Sequence, residues 1–170
     1  VRSFNYRYQS KVLVEPQMRA TKIPKVLGID GKNKMSKSLD NHIELAATPK
    51  ETDQRVRQMV TDPQRIRRDD PGNPDVCNVF TMHKIFSSQE EVSMVDAECR
   101  RAGIGCVDCK KLFAKNLNAD LEPFRVRRAE WDADPDKVWG VLHDGAERAR
   151  VIARETIAEV KDAIGLPHAI

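Results

Sequence analysis

Aromatic side chains are scarce in this chain: two Trp, two Tyr and five Phe in 170 residues. That leaves few platforms for stacking bases, so broad stacking-driven capture of single strands is excluded. Long apolar runs are missing too. No stretch reaches membrane length and none reads as a secretory leader, so a membrane protein and an oxidising compartment both lack support, and cytoplasmic residence is expected. There is no internal repeat and no low-complexity tract. Nor is there a large excess of one charge: Lys and Arg number 29 against 26 Asp and Glu, for a net charge of +3. Such a balance permits RNA binding without demanding it, because any basic face must be local. Hydrophobic residues make up 40% and charged residues 32% of the chain. The mixture fits a solvated helical protein with a core, one domain plus an attached piece.

What is present begins with a lysine-rich loop. Lys34, Met35, Ser36, Lys37 and Ser38 follow Gly28 and Gly31 and precede Asp40 and Asn41. The polar, glycine-containing approach predicts a mobile loop. With Lys25 and Lys32 nearby, its cations suit a polyphosphate that must be gripped and released, since lysine is a compact charge with three donors. For an arbitrary loop of this composition, a solvated charged surface is the simpler reading.

Four cysteines are the second feature: Cys77, Cys99, Cys106 and Cys109, spaced C-x21-C-x6-C-x2-C. In a reducing compartment such a cluster is more often a ligand set than a disulfide framework. Four thiolates suit tetrahedral zinc or an iron–sulfur cluster, and the short final gap is compatible with both. The alternative for each is a small buried hydrophobe.

The remaining pattern is mostly α. Arg2 to Tyr8 reads as the tail of a helix, and residues 11–14 and 25–27 as short strands. Thr48, Pro49 and Glu51 give a helix start with a capping box, running to Val60 with Val56, Met59 and Val60 inward. A polar connector over 61–74 pairs Arg65, Arg67 and Arg68 with Asp69 and Asp70. A helix from Asp75 to Phe86 turns Val76, Val79, Phe80 and Ile85 inward. Ser88 and Glu91 box the next helix, which carries Val92, Met94, Val95 and Cys99. Residues 107–117 and 119–131 read as two helices. A short helix starts at Asp134, and a long one runs from Asp144 to Ile164 with Ala149, Ile152, Ala153, Thr156, Ile157, Val160 and Ile164 as its inward stripe.

The five-residue word at Lys34–Ser38 resembles the KMSKS signature of class I aminoacyl-tRNA synthetases. The order of features around it resembles the C-terminal half of the bacterial tryptophanyl-tRNA synthetases. Arg2, Phe4, Asn5, Tyr8 and Val14–Pro16 resemble the segment before the signature. Val60–Asp62 resembles the end of the helix after it. Arg100 to Lys111, Leu121–Pro123 with Arg127 and Trp131, and Asp144 to Arg150 resemble the helical C-terminal domain. The likeness covers nearly the whole chain.

The resemblance implies residues 1–47 as the end of a Rossmann-type nucleotide-binding catalytic domain and residues 48–170 as an α-helical anticodon-binding domain. It implies ATP-dependent activation of L-tryptophan with Mg²⁺, transfer to tRNA(Trp), and a homodimer for the full-length protein. Lys34 and Lys37 would be catalytic. Lys34, Met35, Ser36, Lys37 and Ser38 would bind ATP, with Met35 anchoring the loop on apolar surface. Some members hold a 4Fe–4S cluster on a four-cysteine motif; the last two gaps match it and the first is one residue shorter, a difference that residues 87–90 can absorb. That favours the cluster over Zn²⁺. Arg100, Arg101, Lys110 and Lys111 would face tRNA, whereas Arg125, Arg127 and Arg128 read as solvated charges. His83 follows Cys77 closely enough to neighbour the cysteines, with a surface or half-buried position as its ordinary state. Class I enzymes also need a HIGH-type motif, and His42, His83, His143 and His168 lack that context. The chain therefore reads as a fragment, inactive alone. The competing reading is a free-standing metal-containing RNA-binding module without catalysis; a zinc-bearing interaction domain is a further one.

Overall fold

The computed structural model describes residues 1–21 and 23–167; His168 lies outside the described residues. Among the described residues there are six α-helices: α1 Arg2–Arg7, α2 Pro49–Gln58, α3 Asn78–Phe86, α4 Gln89–Arg100, α5 Cys106–Asp132 and α6 Pro135–Ile164. Single 3-10 turns occur at Lys37–Leu39 and Pro74–Val76. The mostly-α expectation holds.

The helix starts follow local chemistry. At α2 the Thr48 hydroxyl accepts from the Glu51 N–H while the Glu51 carboxylate accepts from the Thr48 N–H, with Pro49 in the first turn. Ser88 and Glu91 repeat that reciprocal pairing at α4. Each box satisfies two donors that a helix start otherwise leaves orphaned.

Five expectations need correction. Residues 11–14 form no strand: Leu13 gives its carbonyl to the Asn5 amide of α1 at 2.7 Å, and no partner edge lies beside it. Residues 25–27 reach only a single antiparallel bridge, Leu27 to Lys34. The helix expected from Asp75 begins instead at Asn78, because Asn73 and Pro74 set up a 3-10 turn and Cys77 is extended as its N-cap. Val76 is consequently exposed. The two helices expected over 107–131 are one, α5, with Pro123 inside it. Phe113, Ala114, Leu117 and Leu121 form one continuous buried stripe across the expected break. Similarly, α6 runs unbroken through Gly140 and Gly145, spanned by an Arg148–Asp144 ion pair at 2.9 Å. A glycine costs about 1 kcal/mol in a helix, too little to stop one that starts on an Asp134 cap.

The chain divides into two compact units, residues 1–22 with 131–170, and residues 23–130. In the second of these, the lysine loop packs with α2 and α3. The core belongs to the 23–130 unit: Val56, Met59, Val79, Phe80, Val95 and Phe113 are all buried, with Met35, Ile43 and Leu112 against them. Val60, expected inward, is exposed. In the other unit no residue of α6 is buried, and Ile152 and Ile157 of its expected inward stripe are more than half exposed. No helix of the described residues is long and apolar enough to cross a membrane.

Candidate functional site

The lysine loop is a tight hairpin. Leu27 bridges Lys34, the Gly28 N–H donates to Asn33 O at 2.9 Å, and the Met35 N–H donates to Val26 O at 2.9 Å. Gly31 sits at φ +65°, a left-handed conformation that favours glycine. The Asp30 carboxylate organises the turn. It accepts from the Lys32 and Asn33 N–H groups at 3.1 and 3.2 Å, from the Asn33 amide at 3.0 Å and from the Asn41 amide at 3.1 Å. Those bonds, the Asn33 amide foremost, hold its carboxyl far below the ordinary carboxylate range.

Asn41 is the second organiser and is buried. Its amide nitrogen also donates to Lys34 O at 3.3 Å, and its amide oxygen accepts from the Ser36 N–H at 2.7 Å. Its carbonyl accepts from the Ile29 N–H at 2.8 Å. A Cβ on Gly28 would lie 2.3 Å from the Asn41 side chain, so only glycine fits there. Asn78 of α3 donates to Gly28 O at 2.8 Å and ties the hairpin to the core. Arg55 of α2 donates to the Asp40 carbonyl and carboxylate at 2.5 and 2.9 Å and to His42 O at 3.0 Å. The loop expected to be loose is thus pinned along its length by backbone and amide bonds.

What the pinning leaves exposed is the chemistry. Lys32, Lys34 and Lys37 are exposed, and among the described residues Lys37 reaches a carboxylate at Glu44 alone, at 3.8 Å. Met35 is half-buried against the core, the anchor expected of it. Ser36 and Ser38 pair through their hydroxyls at 2.8 Å. The signature residues are brought together with ammonium groups outward and backbone fixed. Asp30, Asn41, Arg55 and Asn78 were missed in sequence; only the Gly28–Asp30–Gly31 turn pattern hinted at the first.

The cysteines also converge. All four are free thiols; Cys77 and Cys109 are buried, Cys99 and Cys106 half-buried. The Cys109 thiol is pushed up to about 12 by burial and then by the charges of Cys77, Cys99 and Cys106. Burial also raises Cys99, with Arg65 opposing and Cys77 and Cys106 adding to the rise. Arg65 Nη1 lies 3.9 Å from Cys99 Sγ, and a Cβ on Gly72 would meet that sulfur at 2.6 Å. Among the described residues, no group of three or more His, Cys, Asp or Glu side chains is placed to hold a single metal ion.

His83 does neighbour this cluster but is fully buried, contrary to the half-exposed state expected. Its Nε2 lies 3.5 Å from Cys109 Sγ and 3.3 Å from Cys109 O, and its Nδ1 is 2.7 Å from Ser87 Oγ. Burial lowers its pKa, so the ring is neutral at neutral pH.

The cations proposed around the cysteines are largely engaged. Arg100 bonds Asp96 and Asp75 at 3.1 and 2.9 Å, Arg101 pairs with Glu98, and Lys111 lies 3.3 Å from Asp108. Lys110 donates to Arg57 O at 2.8 Å. In the connector, Asp70 accepts from the Ile66 and Arg67 N–H groups rather than pairing with an arginine side chain. Arg125 is the clearest departure from a solvated charge. It donates to Ala47 O at 2.7 Å, Thr52 Oγ1 at 3.0 Å and Asn118 Oδ1 at 2.7 Å.

The family model described as "tRNA synthetases class I (W and Y)" matches residues 1–122. The chain belongs to that family. It is 44% identical over 166 residues to the tryptophan–tRNA ligase of Thermotoga maritima, covering 97% of this chain and 50% of that protein. It is 41% identical over 167 residues to the Aquifex aeolicus enzyme of the same name, covering 98% and 42%. Among solved structures it is similar to a Campylobacter jejuni tryptophanyl-tRNA synthetase complexed with ADP and tryptophan, at TM-score 0.76 and 26% identity, covering 97% of this chain and 51% of that one. The chain thus spans about half or less of the length of these relatives. Its helical architecture is similar to that of the Campylobacter jejuni structure over that share.

Proposed function

We propose that this chain is the C-terminal part of a tryptophan–tRNA ligase, supplying the KMSKS loop and the anticodon-reading helices. The observation that carries the reading is the pinned hairpin with outward ammonium groups at Lys34 and Lys37, in a chain that resembles tryptophan enzymes over nearly its full length. Residues 1–47 would close the nucleotide-binding domain and residues 48–170 would serve tRNA(Trp), in a cytoplasmic homodimer.

In the reaction, the tryptophan carboxylate attacks the α-phosphate of ATP and pyrophosphate leaves. Negative charge builds on the leaving oxygens. Lys34 and Lys37 meet it electrostatically, from a backbone already fixed, so little reorganisation is needed at the moment of reaction. The Ser36 and Ser38 hydroxyls can donate to phosphate once they leave each other. Mg²⁺ would be carried by the phosphates themselves, since Asp30 is committed to its turn and Asp40 to Arg55. Residues 1–170 contain no HIGH-type motif, so activation needs the other half of the enzyme.

The cysteines fit a 4Fe–4S cluster as donors: four reduced thiols within electrostatic reach of one another, with Arg65 at hand to offset charge. Tetrahedral zinc, which draws its thiolates to about 2.3 Å from one ion, is the competing occupant; the C-x6-C-x2-C spacing shared with cluster-bearing members favours the cluster. Cys77, Cys99, Cys106 and Cys109 would hold it, and its thiolate bonds would supply folding free energy to α3, α4 and the start of α5.

The test is tryptophan-dependent exchange of pyrophosphate into ATP, and charging of tRNA(Trp), by the protein carrying this chain. Both are expected with tryptophan and neither with tyrosine. Tyrosine-dependent exchange, or none, overturns the reading. Anaerobic purification with iron, sulfide and zinc analysis tests the cluster: iron and sulfide near four per chain are expected, and stoichiometric zinc without iron refutes it.

A further inference from the structure

Two of the residues that hold the lysine hairpin each directly follow a cysteine. Cys77 is the extended N-cap of α3, and its carbonyl accepts from the Thr81 N–H at 3.1 Å and the Thr81 hydroxyl at 3.3 Å. Asn78, the first residue of that helix, is buried and donates to Gly28 O at 2.8 Å. Its Oδ1 is buried and has no partner among the described residues, so the Gly28 bond alone orients the amide. Gly28 O also accepts from the Gly31 N–H at 3.0 Å, and a Cβ on Gly31 would stand 3.1 Å from Asn78 Cβ. The hairpin turn thus rests on Asn78 by bond and by contact. On the other side, Lys110 follows Cys109 and donates to Arg57 O of α2 at 2.8 Å. That helix carries Arg55, which holds Asp40 and His42 after the signature, and just beyond it the Val60 N–H donates to Ile29 O at 2.9 Å.

We propose that the cysteine site governs the hairpin: filled, it fixes Asn78 and Lys110 and so holds the loop in its phosphate-binding shape; emptied, it lets the loop loosen. The proposal rests on the ligase and cluster readings above and makes Asn78 a positioning residue for the activation step. The four thiols come from the start of α3, the end of α4 and the start of α5. One group bound to all of them removes the freedom of those helix ends to shift against one another. Hydrogen bonds weaken steeply with displacement and misalignment, so a small drift of the α3 start is enough to lose the Asn78 bond. Gly28 lies directly against the Asn41 side chain, which fixes the Ser36 N–H and Lys34 O. A shift of Gly28 therefore reaches the backbone that presents Lys34 and Lys37. Those ammonium groups act by position, so a loosened loop loses transition-state stabilisation more than it loses ATP. The coupling is one of position; neither electrons nor protons pass between the two sites.

The experiment uses the full-length enzyme carrying this chain, purified anaerobically, and compares it with the same protein after a chelator has removed the iron under reducing conditions. Emptying should raise amide exchange over residues 28–41 while residues 113–121 keep their protection. Tryptophan-dependent pyrophosphate exchange should lose roughly tenfold in kcat, with the KM for ATP changing far less. Asn78→Ala in the filled enzyme should reproduce both effects with the visible absorption of the cluster intact, and emptying that variant should add little. The variant decides the matter where the emptied protein unfolds. Equal loop exchange and kcat in filled and emptied folded protein overturn the proposal, as does a filled Asn78→Ala enzyme whose loop exchange and kcat are unaltered. Protein that purifies without iron refutes the cluster reading and the coupling with it, whereas a filled site beside an unresponsive loop refutes the coupling alone. If tryptophan-dependent exchange is absent, the ligase reading fails and amide exchange still decides the coupling.

Discussion

Lys37 and its neighbours divide into groups that shape the loop and groups that the shape presents. Lys37 belongs to the second, with only a 3.8 Å approach to Glu44. In the full-length enzyme, Lys37→Ala is expected to slow tryptophan activation by about 10²-fold while changing ATP binding far less. Pre-steady-state exchange with a separate ATP titration distinguishes the two; equal losses would make Lys37 a ground-state contact. Asn41 belongs to the first group. Asn41→Ala removes acceptors and donors for Ser36, Asp30 and Lys34. Amide exchange across residues 28–41 is expected to rise while exchange in α3 stays unchanged. The Asp30 carboxyl adds a pH statement. Its folded pKa is lowered, so its contribution is present above the ordinary value of 3.8 and is lost only as pH falls through the depressed folded value. Loop protection should therefore persist at pH 3, where ordinary aspartates are mostly protonated, and carboxyl carbon NMR should show Asp30 still ionised there. Loss of protection in step with ordinary carboxylates would contradict that assignment.

At the scale of elements, capping chemistry could be read directly, and tertiary roles could not. Thr48→Ala should cost about 1 kcal/mol, read as a lower melting temperature, because both halves of its box are made. Arg125→Leu should cost more, about 2 to 3 kcal/mol. It strips charge-assisted bonds from Ala47, Thr52 and Asn118 at once, from a side chain only 12% exposed. Nothing local distinguishes Arg125 from Arg127: a cation on a helix looks solvated until a second element is known to cross it. The same limit hid Arg55 and His83, whose partners lie 13 to 26 residues away. Continuity was misjudged for a different reason. Asn118, Pro123, Gly140 and Gly145 are local breakers by propensity, but in α5 the buried stripe from Phe113 to Leu121 carries the helix past Asn118, and in α6 a glycine's cost of about 1 kcal/mol is too small to end a 30-residue helix. The KMSKS word was legible because it packs its chemistry into five consecutive residues. The contacts that shape the loop around it were not, since Arg55 and Asn78 come from helices further along the chain.

For the whole molecule, the distribution of burial sets the order in which structure should be lost. Phe113, Val79, Val95 and Val56 are at most 1% exposed, and all lie in the 23–130 unit. The other unit has α6, 30 residues long, with none buried. Its good ends, an Asp134 cap and a left-handed Gly165, secure the termini but bring no core. Helices draw most of their stability from packing of an apolar face, and the residues of this chain give α6 little such packing. Local opening free energies should therefore differ between the two units instead of matching one global value. Hydrogen exchange on this chain should show residues 135–164 exchanging well before residues 78–86 and 106–121. The corresponding denaturation curve, followed by helix signal, should be broader than a single transition allows. In the full-length enzyme, where the apolar side chains of α6 can meet further protein, protection of that helix should rise toward that of α5. Equal protection of α5 and α6 in the isolated chain would show that α6 is stabilised by something other than buried apolar surface.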